Sequence, residues 1–334
     1  MKIEPTTRIG IVLLQLGGPD SLQAVEPFLF NLFSDPDIIN FPLGSLLRKP
    51  LARLISKKRA PLIAGHYQKI GGRSPINEIT IRQAAALENI LNKTFPARVY
   101  IAMRYWKPST SEVVDALNRE NIRRVLLLPL YPQYSASTTG SGVNEWNRIV
   151  HASGTFFETE IIQDYFQHPV YIRSIVERIN EALLRFPEKS RSRVHLIFSA
   201  HGTPLKLVKQ GDPYKDQIEK TVTAVMTMGK YDLKYDLGFQ SRVGPQEWIS
   251  PFTADVVQRL GNKGAKNLLV IPVAFVSDHI ETLYELNIEV REIGRKNGIE
   301  QFEVTEGLNT SPAFIEALAE LVRSHIEQPS ILSQ

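Results

Sequence analysis

Residues 267–286 decide the fold. Residues 267–276 have the sequence Asn-Leu-Leu-Val-Ile-Pro-Val-Ala-Phe-Val, and residues 277–286 continue as Ser-Asp-His-Ile-Glu-Thr-Leu-Tyr-Glu-Leu. The first ten are apolar and rich in β-branched side chains, which is typical of a strand buried on both faces of a parallel sheet. The next ten are polar with a helical rhythm, and Ser277 or Asp278 can cap the first turn. A strand that runs directly into a helix predicts an α/β sheet with a ligand site at this strand end.

Three carboxylates follow on one face of the predicted helix. Glu281, Glu285 and Glu289 are spaced four residues apart, so their side chains stack and repel one another. We call these three residues the carboxylate ladder. A bound cation would remove the repulsion, although the same spacing is also typical of a solvated acidic face. Asp278 and His279 precede the ladder, and we expect them beside Glu281 at the mouth of a cleft.

The composition excludes several classes of protein. The 334 residues are 43% hydrophobic and 22% charged, which suits one large globular domain or two of moderate size. The chain has no cysteine, which excludes disulfides and a protein-ligated iron–sulfur cluster. We find no signal-peptide pattern and no apolar run long enough to span a bilayer, so we expect a cytoplasmic protein. The net charge of +4 suits an anionic small ligand or a membrane surface better than nucleic acid.

The chain repeats one order of strands, turns and helices. Aligning residues 13–19 with residues 198–204 superposes a Gly and a Pro and places His201 where Leu16 stands. The later strand-like runs pair in the same way, 100–103 with 235–240 and 124–129 with 266–272, and the segment 240–245 then corresponds to 104–108. The repeat predicts two similar α/β halves, each with a mostly parallel sheet flanked by helices, and a cleft between them. We place the halves at residues 1–168 and 169–334, and a last amphipathic helix at residues 312–326.

The first half is longer because it carries a basic segment. Residues 41–61 contain six basic residues and no acid. The basic residues are Arg48, Lys49, Arg53, Lys57, Lys58 and Arg59. Such a helix suits weak contact between residues 43–59 and an anionic membrane, through Leu47, Leu51 and Ile55, or the rim of a pocket for an anionic apolar ligand. The pattern is also typical of a surface helix packed on its own domain.

Two of the seven histidines, His201 and His279, directly follow buried strands. His201 and Glu281 together offer an imidazole nitrogen and a carboxylate oxygen. Such a pair can bind a divalent first-row cation with an incomplete coordination shell, and it is also a plausible base and acid. A histidine at this place can instead only order the turn. The chain contains no zincin, Walker A, G-x-G-x-x-G or G-x-S-x-G motif.

Six motifs, in the right order between about residues 9 and 326, resemble those of the ferrochelatase family. They are residues 14–20 (Leu-Gln-Leu-Gly-Gly-Pro-Asp), 70–76 (Ile-Gly-Gly-Arg-Ser-Pro-Ile), 131–141 (Tyr-Pro-Gln-Tyr-Ser-Ala-Ser-Thr-Thr-Gly-Ser), 198–202 (Phe-Ser-Ala-His-Gly), 240–245 (Gln-Ser-Arg-Val-Gly-Pro) and 277–286 as quoted above. Arg73 departs from a common run of three glycines. Animal-type members carry a C-terminal iron–sulfur extension, which this chain lacks, and a cysteine where Ala136 stands.

The resemblance implies insertion of Fe²⁺ into protoporphyrin IX to give protoheme, with release of two protons. It implies two Rossmann-like, chelatase-type halves with the porphyrin between them, and no permanently bound cofactor, since iron is a substrate. His201 and Glu281 would bind iron and catalyse its insertion, and Glu285 and Glu289 would be further metal ligands. The predicted substrate-binding residues are Leu16, Arg59, Arg104, Tyr105, Tyr131, Trp248, Phe275, Asp278 and His279, with a lip over the porphyrin at about residues 41–75.

Two other classes fit the same residues. One is a different chelatase, which inserts cobalt or which metallates coproporphyrin III. The other is a non-catalytic porphyrin or heme carrier, although a carrier would not need the carboxylate ladder. The sequence leaves open whether the protein is a monomer or a homodimer. It also leaves open whether the lip touches the inner face of the cytoplasmic membrane, and from which side iron enters.

Overall fold

In the computed structural model of the protein, the described residues are 8–38, 45–242 and 246–327. Their strands form two four-stranded sheets, and every neighbouring pair of strands is parallel. The strands are β1 (Ile9–Gln15), β2 (Ala97–Met103), β3 (Arg124–Pro129), β4 (Glu158–Ile161), β5 (His195–His201), β6 (Tyr235–Gln240), β7 (Asn267–Pro272) and β8 (Gln301–Val304). The first sheet has the order β2-β1-β3-β4 and the second β6-β5-β7-β8, which confirms the predicted pair of similar parallel α/β halves.

Helices connect the strands and flank both sheets. The α-helices are α1 (Val25–Ser34), α2 (Ser45–Gln68), α3 (Ile76–Leu91), α4 (Thr110–Arg119), α5 (Ser141–Ser153), α6 (Pro169–Leu183), α7 (Glu188–Arg191), α8 (Leu205–Lys209), α9 (Tyr214–Gly229), α10 (Thr253–Asn262), α11 (Arg291–Lys296) and α12 (Pro312–Glu327). Two π-helical segments, Ala136–Gly140 and Glu281–Val290, directly precede α5 and α11.

The strand register supports the predicted alignment of the two halves at their first strands. Leu14 of β1 pairs with Pro129 of β3, and Ser199 of β5 pairs with Pro272 of β7. Counting two residues onward from Leu14 and Ser199 brings Leu16 and His201 to equivalent positions at the two strand ends. One half therefore presents an apolar side chain where the other presents an imidazole.

The predicted correspondence of residues 240–245 with residues 104–108 is wrong at its far end. The Met103 N–H donates to the Pro108 carbonyl at 2.7 Å, and the Phe239 N–H donates to the Pro251 carbonyl at 2.9 Å. Pro251, and not Pro245, is therefore the counterpart of Pro108. The loop after β6 is longer than its counterpart, and part of it, residues 243–245, lies outside the described residues.

The helix that carries the carboxylate ladder differs from the expected one. Its π-helical segment begins at Glu281, and no side chain caps it. The predicted cap is wrong because both candidate side chains have other partners: the Ser277 hydroxyl bonds the Gln83 side chain, and the Asp278 carboxylate accepts from Asn309 Nδ2 at 2.7 Å. The wider turn of a π-helix, with i→i+5 hydrogen bonds, is rare and frequent at functional sites.

The largest hydrophobic core does not stop at the predicted domain boundary. It joins Leu13 of β1 and Leu128 of β3 to Phe198 of β5 and Ile271 of β7. The helix α12 packs on α6 and on α3, so the end of the chain returns to the N-terminal half. The division at residues 168 and 169 therefore stays a prediction for two halves that share one core.

The basic segment folds as the long helix α2, which packs against α1. Residues 41–44, which belong to the predicted lip, lie outside the described residues. The predicted apolar face is partly wrong, because Ile55 packs in the core beneath the helix while Leu54 and Leu62 are 65% and 62% exposed. In the described part of the chain, no helix combines the length and apolar character needed to cross a bilayer.

Candidate active site

A cavity of about 450 Å³ lies between the two halves. This volume is within the range of small-ligand sites. The N-terminal half supplies an apolar wall made by Phe28, Leu29, Leu32 and Phe33 of α1 and Ile63 of α2. The C-terminal half supplies most of the charge, and all three carboxylates of the ladder line the cavity. The arrangement suits a flat, apolar ligand that receives a cation from one side.

His201 and Glu281 form the pair that the sequence predicted. His201 is the last residue of β5 and Glu281 opens the π-helical segment after β7, so two neighbouring strand ends bring them together. His201 Nδ1 lies 2.8 Å from Glu281 Oε2, and the imidazole remains 40% exposed. Glu281 lines the cavity, whereas His201 is not on its wall and adjoins it through Glu281. The ring of His279 is buried, and its Nε2 lies 3.8 Å from the same carboxylate oxygen.

The pair is held as an ion pair. Burial lowers the pKa of His201, but the carboxylates of Glu281 and then Glu285 outweigh this and raise that pKa above its usual 6.5. Burial raises the pKa of Glu281, but His201 and His279 outweigh this and hold it well below its usual range. The raised pKa of His201 favours its imidazolium form, in which Nδ1–H donates to Glu281. Before it can accept a proton, this imidazole has to lose one.

The rest of the ladder extends along the cavity. Burial and the charge of Glu281 together raise the pKa of Glu285, although hydrogen bonds from Ser241 oppose the shift. Glu289 lies further along, near the place where the His66 ring of α2 stacks on Tyr284 at 4.0 Å between ring centroids. Within the ranges that the structure describes, no three histidine or acidic side chains are assembled as a metal cage.

Five of the predicted substrate-binding residues lie at or next to the cavity, and one of them is His279. Leu16 and Arg59 line it. The Phe275 ring lies 4.5 Å from the His279 ring and 6.2 Å from the His201 ring, between centroids. Trp248 lies against Gly202, where its ring leaves a Cβ atom only 3.3 Å of space. The tighter contact of that Cβ atom would be the Gln240 carbonyl oxygen at 2.7 Å, so the glycine after His201 is required first by the neighbouring strand β6 and also gives the indole room.

Three other predicted residues lie behind the cavity wall. Tyr105 donates to Asp35 Oδ2 at 2.5 Å, and an Arg104 nitrogen lies 2.8 Å from the same oxygen. Ser141 at the start of α5 donates to that oxygen at 2.6 Å, and the Asp35 side chain is completely buried. Tyr131 is half-buried, and desolvation of its hydroxyl raises its pKa although Arg104 opposes the shift. The cavity wall contains neither Arg104 nor Tyr105 nor Tyr131.

Asp278 and His279 are separated by the fold. His279 lines the cavity, whereas Asp278 is absent from its wall. The Asp278 carboxylate accepts hydrogen bonds from Asn309 Nδ2 at 2.7 Å and from Thr282 Oγ1 at 3.0 Å. Asp278 therefore fixes the start of the helix that carries the ladder to the loop before α12. Its neighbour His279 lines the cavity.

Sequence reasoning missed several residues of this site. His66, Tyr67, Ser241 and Arg242 all line the cavity. His66 and Tyr67 occupy the end of α2, directly before the Gly-Gly turn of a family motif, so that motif could have drawn attention to them. Asp35 carries no local signal, because its partners lie far along the chain.

The comparisons with known proteins agree with this geometry. The ferrochelatase family model matches residues 8–326. A ferrochelatase of Geotalea daltonii is 47% identical over 319 residues, which cover 95% of this chain and 98% of the relative. The ferrochelatase of Aquifex aeolicus is 44% identical, and the match covers 95% of this chain and 99% of the relative. The ferrochelatase of Synechocystis is 43% identical, and the match covers 96% of this chain and 84% of the relative.

Solved chelatase structures share the fold. SirB from Bacillus subtilis with Fe³⁺ superposes with a TM-score of 0.57 at 11% identity, covering 95% of both chains. CbiX, described as the terminal enzyme for biosynthesis of siroheme in denitrifying bacteria, superposes with a TM-score of 0.51 at 14% identity and covers 95% of this chain and 98% of that one. The two-sheet architecture, the cavity with its imidazole–carboxylate pair, and the relatives that match over nearly the whole length lead to one assignment. This chain belongs to the ferrochelatase family and is an enzyme that inserts ferrous iron into a porphyrin.

Proposed function

We propose that the protein inserts Fe²⁺ into protoporphyrin IX in the cavity between its halves, with His201 and Glu281 as the catalytic pair. The observation that carries the proposal is the 2.8 Å contact between His201 Nδ1 and Glu281 Oε2 at a cavity of about 450 Å³. Metal insertion replaces two pyrrole protons by one dication. A site for it needs a base, a metal ligand and a place for a flat macrocycle, and all three meet at this strand end.

His201 is the group proposed to accept the pyrrole protons. Its raised pKa leaves it partly protonated in the metal-free protein. A dication that approaches Glu281 competes with the imidazolium for the carboxylate and so lowers the pKa of His201. The arrival of iron would thereby release the proton from His201 and make the imidazole a base when the metal is at hand.

The carboxylate ladder is proposed to bring iron in and to take protons out. Burial and the charge of Glu281 raise the pKa of Glu285, which favours its taking a proton in comparison with an ordinary surface carboxylate. Glu289 lies beyond it along the same helix. Hard carboxylate oxygens hold Fe²⁺ without the affinity of a closed nitrogen or sulfur cage, which suits a metal that has to move on.

The charges on the cavity wall favour a porphyrin with few carboxylates. Among the lining residues that the structure describes, Arg59 and Arg242 are the two arginines, and each lies over an aromatic ring, Phe33 and Phe252. The facing wall of α1 is apolar. Protoporphyrin IX has two propionates and two vinyl groups, whereas coproporphyrin III has propionates in place of the vinyls. Protoporphyrin IX therefore matches this wall better.

The helix α2, which forms part of the predicted lip, is proposed to bind anionic lipid weakly. Leu47, Leu54 and Leu62 are exposed on α2, and Lys57 and Lys58 are exposed on the same helix. Each basic residue near an anionic surface contributes about 1 kcal/mol before salt screening. Such contact would keep an apolar porphyrin close to the mouth of the cavity.

An anaerobic insertion assay tests the proposed reaction. Fe²⁺ is offered with protoporphyrin IX and, separately, with coproporphyrin III, and the product is followed by its absorbance. We expect a higher kcat/KM with protoporphyrin IX, because the apolar wall accepts vinyl groups. A higher kcat/KM with coproporphyrin III would reassign the substrate, and binding of both without insertion would favour a carrier.

A further inference from the structure

The loop after β6 contains a residue in a strained backbone conformation. Ser241 has a φ of +64°, in the left-handed region that side chains other than glycine and asparagine seldom adopt. It is half-buried and lines the cavity between the halves. Such conformations persist only where the surrounding structure holds them, and they cluster at active sites and ligand clamps. The contacts of Ser241 therefore indicate which interaction holds the residue in this strained conformation.

Both hydrogen-bond donors of Ser241 are directed at one carboxylate. Its backbone N–H donates to Glu285 Oε1 at 2.9 Å, and its hydroxyl donates to Glu285 Oε2. Within the described part of the chain, these are the hydrogen bonds that the Glu285 carboxylate accepts, and no basic side chain forms an ion pair with it. The middle carboxylate of the ladder is thus oriented by a single residue of the facing loop.

We propose that Ser241 is a positioning residue that holds the Glu285 carboxylate in the orientation in which it hands Fe²⁺ on to Glu281. This inference rests on the proposed role of the ladder in iron delivery. Each Glu285 oxygen keeps a free lone pair after accepting one hydrogen bond, so the clamp leaves room for a cation. A carboxylate that is already oriented loses less side-chain freedom when the metal binds.

The sequence and geometry of the loop fit this role. The backbone N–H and the hydroxyl of Ser241 each reach one oxygen of the same carboxylate, so a single residue contacts both oxygens. Gln240, the residue before it, donates from Nε2 to the backbone carbonyl of Glu281 at 3.4 Å. Gln240, the last residue of β6, and Ser241, the first residue of the loop, therefore contact the first two acidic residues of the ladder, Glu281 at its backbone carbonyl and Glu285 at its carboxylate.

Three substitutions separate the hydrogen bond from the backbone strain. Ser241→Ala removes the hydroxyl and keeps the strain, Ser241→Gly removes both, and Ser241→Asn keeps a side-chain donor on a residue that tolerates positive φ. Lys230→Gly is the matched control, because Lys230 has a φ of +49° at the end of α9 and is not on the cavity wall. Each variant is assayed with Fe²⁺ and porphyrin varied separately, beside a thermal melt without metal.

We expect the apparent KM for Fe²⁺ to rise about tenfold in Ser241→Ala and in Ser241→Gly, because a hydrogen bond to a charged group is lost. The KM for porphyrin should stay within about twofold, and Ser241→Asn should recover part of the loss. A purely structural role predicts a different pattern, in which the melting temperature changes and the two KM values move together. Lys230→Gly should change the melting temperature alone.

A double-mutant cycle with Glu285→Gln distinguishes this inference from the proposed function on which it rests. If Ser241 acts through Glu285, Ser241→Ala should have no further effect on the KM for Fe²⁺ once Glu285 is Gln. An unchanged iron dependence in Glu285→Gln alone would overturn the role of the ladder. A raised KM in Glu285→Gln together with no effect of Ser241→Ala, or with an equal effect in both backgrounds, would overturn the role of Ser241 only.

Discussion

The two halves of this enzyme share one topology, but one half buries its main ion pair and the other keeps its ion pair accessible. In the N-terminal half, the strand-end charge is neutralised inside the protein: the completely buried Asp35 carboxylate is paired with Arg104 at 2.8 Å. In the C-terminal half, His201 and Glu281 pair at a cavity, and the imidazole stays 40% exposed. The buried pair joins the residue after β2 to the end of α1, whereas the accessible pair lies between the end of β5 and the helix after β7. One cluster stabilises the fold, and the other is left accessible for chemistry.

The difference also shows how a repeated fold acquires a site. Leu16 and His201 occupy equivalent positions at the ends of β1 and β5. Both halves place a π-helical segment after their third strand, but Ala136–Gly140 has five residues without a carboxylate and Glu281–Val290 has ten with three. The longer π-helical segment brings the carboxylate ladder alongside the cavity.

The largest effect on activity should come from replacing the residues at the equivalent ends of β5 and β1 with alanine, one at a time. His201→Ala should lower kcat by about 100-fold or more, because it removes the proposed proton acceptor, while porphyrin still binds through the apolar wall. Leu16→Ala is the matched change in the other half, and it should weaken porphyrin binding with little change in kcat. Insertion kinetics and porphyrin fluorescence titration give both values. Near-normal turnover in His201→Ala would show that the halves do not differ as described.

The buried pair of the N-terminal half should matter for stability instead. Asp35→Ala leaves Arg104 without its buried partner, so the free energy of unfolding should fall by about 3–5 kcal/mol. Asp216→Ala breaks an exposed pair with Lys220 and should cost less than about 1 kcal/mol. Chemical denaturation gives both values. The turnover per folded molecule should be kept in Asp35→Ala, and its complete loss in a folded variant would place this cluster in the active site.

The smallest effect should be on lipid binding. Leu54→Glu adds an acid to the exposed face of α2 in the N-terminal half and should reduce flotation with anionic vesicles at low salt. Leu184→Glu is the control, because Leu184 is 67% exposed on the C-terminal half, away from the basic helix. Flotation is measured at low and high salt with anionic and neutral vesicles. Equal losses in the two variants, or no binding by the native protein at low salt, would argue against a lipid-binding lip.

Local sequence patterns were sufficient for the architecture. The apolar, β-branched runs predict buried parallel strands, and the shared Gly and Pro after β1 and β5 predict the equivalence of Leu16 and His201. The π-helical segment was not predictable, because helical periodicity does not reveal a change to i→i+5 hydrogen bonds. The Asp35 cluster was missed because Asp35 and Tyr105 are 70 residues apart. The clamp of Ser241 on Glu285 depends on a backbone angle that only tertiary contacts impose.

The most direct test of the central claim is an NMR titration of the His201 imidazole in the metal-free protein, with His201→Ala used to assign the signal. We expect a pKa above the usual 6.5, because the carboxylates of Glu281 and Glu285 outweigh the effect of burial. Glu281→Gln should lower this pKa, since it removes the strongest opposing charge. In the native enzyme kcat/KM for Fe²⁺ should fall as the pH drops through the same pKa, because this ratio reports the metal-free enzyme, in which an imidazolium accepts no proton. A pKa at or below 6.5 that Glu281→Gln leaves unchanged would contradict the ion pair on which this account depends.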